Sequence, residues 1–220
     1  RIIRYRGGAL AHHHRGFLMP SLYDIKPAFQ RALQPVLDVC IRYGISANAL
    51  TAMALILSAL AGLSLWLTGG AAWALLLYPP LLLIRMAMNA LDGLVARQTG
   101  TSSQAGMVFN ETADILADIA MYLPLMVVVS LNPWLLLAAV ATGVLAELTG
   151  ILRLARHGQR AYHGPLGKSD RAAAVALLTV LVVAGASGNW LSLYLAAMVL
   201  LHLVTIANRW FRPVVPGSAT

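Results

Sequence analysis

The chain has few charged residues, fewer acids and a single cysteine. Only 11% of its 220 residues are charged, and only 8 are Asp or Glu. Cys40 alone cannot form an internal disulfide or a cysteine metal cluster. With 59% hydrophobic residues and a mean hydropathy of +0.73, the chain has too few polar groups to cover a water-soluble globule of this length. The composition therefore predicts a membrane protein.

Long apolar runs make up most of the sequence. A spanning helix needs roughly 20 apolar residues, and runs such as LTAMALILSALAGLSLWL are continuously apolar, unlike the alternating strands of a transmembrane barrel. We predict an all-α integral membrane protein with six transmembrane helices, the second of which is kinked by Pro79 and Pro80. The predicted spans are 48–68, 71–93, 106–130, 133–153, 171–187 and 189–208.

The basic residues are distributed unevenly between the two sides of this bundle. The Lys and Arg residues other than Arg85 lie in the N-terminal segment, the loops after the second and fourth helices, the C-terminal tail and the adjoining helix ends. The connections TGGAA, SLNP and GASGN hold none. Because positive residues are retained in the cytoplasm, both termini and those two loops are expected to be cytoplasmic. The net charge of +8 is interpreted as a topology signal, so we expect no nucleic-acid partner.

The predicted organisation has three parts. Residues 1–47 form a cytoplasmic N-terminal segment, residues 48–208 a six-helix transmembrane domain, and residues 209–220 a cytoplasmic tail. Residues from about 21 to 44 are predicted as an amphipathic helix lying in the membrane interface, because apolar residues recur every four positions with charged residues off that stripe. The stripe consists of Ile25, Phe29, Leu33, Leu37 and Ile41.

Half of the acids lie in one polar stretch, residues 89–118. They are Asp92, Glu111, Asp114 and Asp118. Helical spacing places residues of this stretch on two polar faces. These faces consist of Arg85, Asn89, Asp92 and Ala96 on the second span, and of Asn110, Asp114 and Asp118 on the third. A short polar loop joins the two spans, so the hairpin is expected to bring the faces together.

Ionisable groups inside spans are costly unless they are paired, hydrated or metal-bound, so this cluster is a predicted functional site. Carboxylate and amide oxygens are hard ligands that suit Mg2+ or Mn2+. Gly93, Ala96 and Gly106 leave space beside the acids for a ligand to approach the backbone. The alternative is a packing network in which the acids neutralise Arg85 and Arg97.

The motif resembles a known family signature. The spacing Asp92-Gly93-x2-Ala96-Arg97-x8-Gly106-x3-Asn110-x3-Asp114 is similar to DxxDGxxARx8GxxxDxxxD of the CDP-alcohol phosphotransferase family. The resemblance implies a membrane transferase of phospholipid biosynthesis. Such an enzyme moves a phosphatidyl or other substituted phosphate group from a CDP-alcohol, commonly CDP-diacylglycerol, to the hydroxyl of a polar acceptor and releases CMP.

The resemblance also implies roles for single residues. Asp114 would be the catalytic base, and one or two Mg2+ or Mn2+ ions would be held in the acidic pocket. The implied metal ligands are Asn89, Asp92, Asn110 and Asp114, with Asp118 as a further candidate one turn deeper. The implied CDP-binding residues are Asp92, Gly93, Ala96, Arg97 and Gly106.

Two positions depart from the family pattern. Asn89 and Asn110 stand where the family has its first and third aspartates. An asparagine offers one neutral oxygen and cannot bridge two ions, so a full two-metal site is in doubt. Glu111, about 100° round the helix from Asn110, is an imperfect substitute. The alternatives are an enzyme with one metal or an unusual substrate, and a catalytically altered member acting as a transporter or scaffold that binds nucleotide or ion.

Basic residues also surround the predicted loop between the fourth and fifth spans. We predict that Lys168, Arg171 and Arg153 bind an anionic acceptor such as a sugar or polyol phosphate, although ordinary positive-inside residues would look the same. Glu147 inside the fourth span requires either a partner, such as an arginine of the pocket, or a proton. The expected location is a bacterial cytoplasmic membrane with the active site facing the cytoplasm. The family resemblance implies a homodimer.

Overall fold

The computed structural model describes residues 26–157 and 164–211, and the regular elements in these ranges are all helices. The predicted all-α class is therefore confirmed. The α-helices are α1 Lys26–Ala32, α2 Gln34–Arg42, α3 Ala47–Leu67, α4 Ala72–Leu76, α5 Tyr78–Gln98, α6 Gln104–Tyr122, α7 Pro133–His157, α8 Lys168–Val183 and α9 Gly188–Phe211. A 3-10 helix, Leu123–Val127, follows α6.

Four helical segments are long and apolar enough to cross a membrane. They are Ala47–Leu67, Ala72–Gln98, Pro133–Arg156 and Gly188–Phe211. The predicted fifth span corresponds to α8, whose 16 residues rise about 24 Å, less than the roughly 30 Å of a hydrocarbon core. The predicted third span corresponds to α6, which contains the three acids Glu111, Asp114 and Asp118. Both segments are helical, but neither matches a spanning helix by length and composition.

Two prolines determine where helices stop. The third predicted span was expected to run to residue 130, but α6 ends at Tyr122, just before Pro124 in the 3-10 helix. Proline cannot donate to the carbonyl four residues earlier, which here is that of Ala120. A Cβ on Gly62 of α3 would collide with that carbonyl, so glycine permits α3 to approach α6 closely. The kink predicted at Pro79 and Pro80 is found as a break between α4 and α5 at Leu77.

The N-terminal amphipathic segment is not one continuous helix as predicted. A turn at Leu33 separates α1 from α2, and a proline lies in the first turn of α2; the predicted residues 21–25 lie outside the described ranges. Leu37 and Cys40 are buried in a cluster that also includes Leu91 and Val95 of α5. The predicted apolar stripe therefore packs α2 against the stretch of α5 that contains Asp92.

The remaining helices pack in two groups that meet at the polar cluster. α3 packs against α5 and α6, α7 packs against α9, and α8 contacts α5 and α9. Large apolar side chains remain on the outside, among them Ile56, Leu60 and Trp66, each 58% exposed. Exposed apolar faces on this scale are typical of helices that contact lipid.

Candidate active site

Two asparagine–aspartate hydrogen bonds join α5 to α6. Nδ2 of Asn89 on α5 donates to Oδ1 of Asp114 on α6 at 2.9 Å. In the opposite direction, Nδ2 of Asn110 on α6 donates to Oδ2 of Asp92 on α5 at 2.6 Å. The two polar faces expected from residue spacing therefore meet, and they meet through the two positions that depart from the family pattern.

Asp92 has a second partner that the motif did not indicate. The hydroxyl of Thr51 on α3 donates to Oδ2 of Asp92 at 2.8 Å, so this oxygen accepts hydrogen bonds from two helices. Asp92 is 2% exposed. Thr51 lies in a mostly apolar helix that also contains Asn48, Ser58 and Ser64, so no signal in the sequence distinguished it.

Asp114 lies between two cations. The ammonium group of Lys168, the first residue of α8, contacts Oδ2 of Asp114. On the other side, Nη2 of Arg85 donates to the backbone carbonyl of Asp114 at 3.1 Å and lies 4.0 Å from its Oδ1. The side chain of Lys168 is 32% exposed, whereas that of Asp114 is 10% exposed. The accessible side of Asp114 is therefore the side on which Lys168 lies.

A chain of buried ion pairs extends from this cluster towards α7 and α9. Asp118 pairs with Arg85 at 2.6 Å and with Arg171 at 2.5 Å. Arg171 lies 3.3 Å from Glu147, and Glu147 lies 3.5 Å from Arg209. We call Arg85, Asp118, Arg171, Glu147 and Arg209 the buried ion-pair chain; each is at most 6% exposed.

The contacts within the buried ion-pair chain bear on the roles predicted for Glu147, Arg171 and Asp118. Glu147 was expected to have either an arginine partner or a proton, and the structure places both Arg171 and Arg209 beside it. Arg171, predicted to bind the acceptor, is 2% exposed and lies between two carboxylates. Asp118, considered as a further metal ligand, has both oxygens paired with guanidinium groups. The alternative of a packing network therefore describes Arg85 and Asp118, whereas Asp92 and Asp114 form the cluster beside it.

The residues expected to bind CDP lie around the C-terminal end of α5 and the start of α6. A Cβ on Gly93 would lie 3.3 Å from a terminal nitrogen of Arg97, so the exposed Arg97 side chain extends back over this glycine. A Cβ on Gly106 would lie 3.1 Å from Oγ of Ser103, the residue that caps α6. Ala96 is partly exposed on α5. Small residues and one exposed cation thus border the acidic cluster.

Arg153 lies further along α7. It is six residues beyond Glu147, which corresponds to about 9 Å of helix rise. Its guanidinium donates to the carbonyl of Trp210 at 2.9 Å. Together with Leu152, Arg156 and Trp210 it lines a pocket of about 190 Å³. Arg153 therefore belongs to a surface between α7 and α9, and Lys168 is the predicted acceptor residue that the structure places at Asp114.

The donor groups of the cluster fit a hard divalent ion. Within residues 26–157 and 164–211, no three His, Cys, Asp or Glu side chains form a group able to hold a metal. Asp92 and Asp114 nevertheless supply two carboxylates. Since a carboxylate only accepts hydrogen bonds, the amide nitrogens of Asn89 and Asn110 must face them, which leaves both amide carbonyl oxygens for other partners. Two carboxylates and two carbonyl oxygens suit Mg2+ or Mn2+.

Comparison with known sequences defines the class to which this fold and site belong. The sequence model of the family described as CDP-alcohol phosphatidyltransferase matches residues 45–207. The chain belongs to this family, and it is a multi-pass integral membrane protein. The resemblance inferred from the motif is confirmed.

Two known proteins are similar to this chain, one in sequence and one in structure. Inner membrane protein YnbA of Escherichia coli (strain K12) is 43% identical over 152 residues, which cover 69% of this chain and 75% of YnbA. Among solved structures, phosphatidylinositol phosphate synthase (PgsA1) of Mycobacterium tuberculosis with CDP-DAG bound has a TM-score of 0.65 at 18% identity, covering 84% of this chain and 100% of that one. The same synthase in complex with manganese and citrate has a TM-score of 0.63 at 18% identity, covering 80% and 85%. At this identity the structural likeness shows the shared fold.

Proposed function

We propose that the chain is a membrane transferase that moves a phosphatidyl or other substituted phosphate group from a CDP-alcohol to the hydroxyl of a polar acceptor, releasing CMP in phospholipid biosynthesis. The observation that supports this best is the joining of Asp92 on α5 and Asp114 on α6 into one cluster by reciprocal amide hydrogen bonds. Both residues lie in the segment matched by the family. CDP-diacylglycerol is the proposed donor, because a structural relative binds CDP-DAG.

The donor would lie along the border formed by Gly93, Ala96, Arg97 and Gly106. Arg97 is an exposed cation that can reach a phosphate, and the missing side chain at Gly93 leaves room for its guanidinium. Asp92 and Asp114, with the carbonyl oxygens of Asn89 and Asn110, would hold Mg2+ or Mn2+. When bound, such an ion neutralises charge on the diphosphate and on the departing CMP.

Asp114 is the proposed general base. The acceptor hydroxyl oxygen forms a bond to the lipid-side phosphorus, and the bond from that phosphorus to the bridging oxygen breaks, so that its electron pair leaves with CMP. Asp114 takes the hydroxyl proton. Lys168 holds the Asp114 carboxylate before the acceptor arrives, and its partly exposed ammonium would bind a phosphate on an anionic acceptor. In this proposal Arg171 and Asp118 position α8 and do not touch substrate.

The proposal includes a membrane arrangement. Six spans within residues 48–208 would form the catalytic domain, with the termini and the active site on the cytoplasmic side, as the distribution of Lys and Arg suggests. A bacterial inner membrane is the proposed location, because YnbA is an inner membrane protein. We also propose a homodimer, which the mass of the purified protein in detergent would test.

Release of CMP tests the reaction directly. The purified protein would receive CDP-diacylglycerol, Mg2+ or Mn2+, and a pool of polar alcohols with and without phosphate groups. We expect acceptor-dependent CMP release that falls at least about 100-fold in Asp114→Asn, the loss typical of removing a general base. Asp38→Asn makes the same chemical change on the exposed surface of α2 and should keep full activity. CMP release that is absent, or independent of Asp114, would reject the proposal.

A second candidate function follows from Asn89 and Asn110. Their hydrogen bonds leave the acidic cluster internally paired, an arrangement that a transporter or scaffold could retain for binding a nucleotide or an ion without chemistry. Calorimetric binding of CDP or CMP by a protein that releases no CMP with any acceptor or metal would favour this candidate.

A further inference from the structure

Asn89 and Asn110 reduce the number of acids in the cluster, and they also donate hydrogen bonds to the two acids that remain. Asn89 lies 2.9 Å from an oxygen of Asp114, and Asn110 lies 2.6 Å from an oxygen of Asp92. Carboxylates at positions 89 and 110 would oppose other carboxylates at these distances and would need cations between them. The amide N–H groups instead donate hydrogen bonds to the aspartates, so each contact is attractive without a cation.

The charge of the cluster matches one divalent ion. Asp92 and Asp114 contribute two negative charges and are 2% and 8% exposed. One divalent ion balances these two carboxylates and leaves only the ammonium charge of Lys168, whereas two ions would leave three positive charges at the site. Uncompensated charge is costly in a buried site within a membrane protein. Asp118 cannot supply the missing negative charge, because Arg85 and Arg171 already hold it.

Coordination chemistry also indicates one bound ion. Paired catalytic ions lie about 3.5–4 Å apart, and at that separation carboxylates that bridge them with two oxygens hold the pair together. Asn89 and Asn110 each have one carbonyl oxygen, and their nitrogens already face Asp114 and Asp92. The cluster therefore lacks bridging groups at half of the motif positions.

We propose that this site binds one divalent ion, and that the amide groups of Asn89 and Asn110 replace a second ion by holding Asp114 and Asp92 with hydrogen bonds. This inference deepens the proposed function, because it defines the ion content of the same site. It predicts that the family pattern with four aspartates can be rebuilt: Asn89→Asp together with Asn110→Asp restores the carboxylates that a second ion requires.

Metal stoichiometry tests the inference without substrate. The purified full chain in detergent, freed of metal by chelation, would be titrated with Mn2+ by calorimetry, and bound Mn2+ would be counted after gel filtration. The wild-type protein should bind one Mn2+ per chain and show the electron paramagnetic resonance spectrum of an isolated ion. The Asn89→Asp, Asn110→Asp double variant should bind two and show a spin-coupled spectrum.

Asn132→Asp is the matched control. Asn132 caps α7 through its Oδ1, a role that aspartate also fills, so one bound ion is expected. Two ions in the wild type would overturn the inference even if the double variant failed to fold, and so would a folded double variant that still binds one. Two wild-type ions falling to one in Glu111→Gln would assign the missing ligand to Glu111 and also overturn it. A chain that binds one Mn2+ but releases no CMP would retain this inference and reject the proposed reaction.

Discussion

Arg171 donates from both Nε and Nη2 to the same oxygen of Asp118, at 3.0 and 2.5 Å. The guanidinium also lies 3.3 Å from Glu147, so one buried side chain joins α8 to α6 and α7. Lys168 lies three residues earlier on α8, about one helical turn away. The contact between Lys168 and Asp114 therefore depends on where Arg171 anchors this helix.

Arg171→Met should lower the free energy of unfolding by about 3 kcal/mol. The change leaves Asp118 and Glu147 without a shared cation, and breaking a buried ion pair on one side is strongly destabilising. The measurement is the thermal or denaturant midpoint of the purified protein in detergent. Arg171→Lys should recover only part of the lost stability, because lysine keeps the positive charge but lacks the planar guanidinium with its several N–H donors.

Arg42→Met serves as the control for this change. Arg42 is exposed on α2, and its replacement should shift stability by less than about 0.5 kcal/mol. Equal midpoints for Arg171→Met and Arg42→Met would contradict the assignment of Arg171 as a structural anchor.

Lys168→Met should tighten the binding of Mn2+ and weaken the binding of an anionic acceptor. The ammonium group occupies an oxygen of Asp114, so removing it frees a ligand and removes a nearby positive charge. We expect Mn2+ affinity to rise about tenfold, equivalent to about 1.4 kcal/mol, while the KM for an anionic acceptor increases. Titration of the variant with Mn2+ and acceptor kinetics check the two effects separately. Weaker Mn2+ binding would show that Lys168 does not compete with the ion.

Thr51→Val should remove one hydrogen bond that holds the Asp92 side chain, while the shape of residue 51 changes little. The hydroxyl of Thr51 donates to Asp92 at 2.8 Å, and its loss should cost about 1 kcal/mol of stability and reduce Mn2+ affinity. Thr68→Val is the matched control, since within the described ranges the Thr68 hydroxyl bonds to carbonyls of the preceding helix α3, at 2.8 and 3.2 Å. An unchanged Mn2+ affinity in Thr51→Val would remove Thr51 from the support of the site.

Gly62→Ala should destabilise the packing of α3 on α6. The added Cβ would collide with the backbone carbonyl of Ala120, and backbone cannot yield as a side chain can, so a loss of about 2 kcal/mol is expected. In Gly188→Ala the nearest heavy atom lies at 3.4 Å, an ordinary contact, so this variant should remain near wild-type stability. Unfolding midpoints compare the two, and a tolerated Gly62→Ala would mean that α3 can move away from α6.

Local periodicity predicted the helices and the inward faces of α5 and α6 well. The motif spacing alone placed Asn89 and Asp92 opposite Asn110 and Asp114, because a short polar loop leaves two neighbouring helices few other arrangements. Spacing could not show that each amide would bond to the opposite aspartate, since this depends on the relative height and rotation of two helices.

Contacts between helices distant in sequence were the least predictable. Thr51 reaches Asp92 across 41 positions, and Arg171 reaches Asp118 across 53. Arg171 was therefore assigned to the acceptor by its place in a basic loop, whereas tertiary packing placed it between two carboxylates. The early end of α6 depended on Pro124 and on the contact with Gly62, which no apolar count reveals.

The buried ion-pair chain also shapes the electrostatic potential beneath the site. It consists of three guanidinium groups and two carboxylates. Charge in a poorly polarisable interior is weakly screened, so its field extends further than that of a surface residue. The paired charges of this chain are therefore part of the electrostatic environment of Asp114, which Arg85 contacts directly.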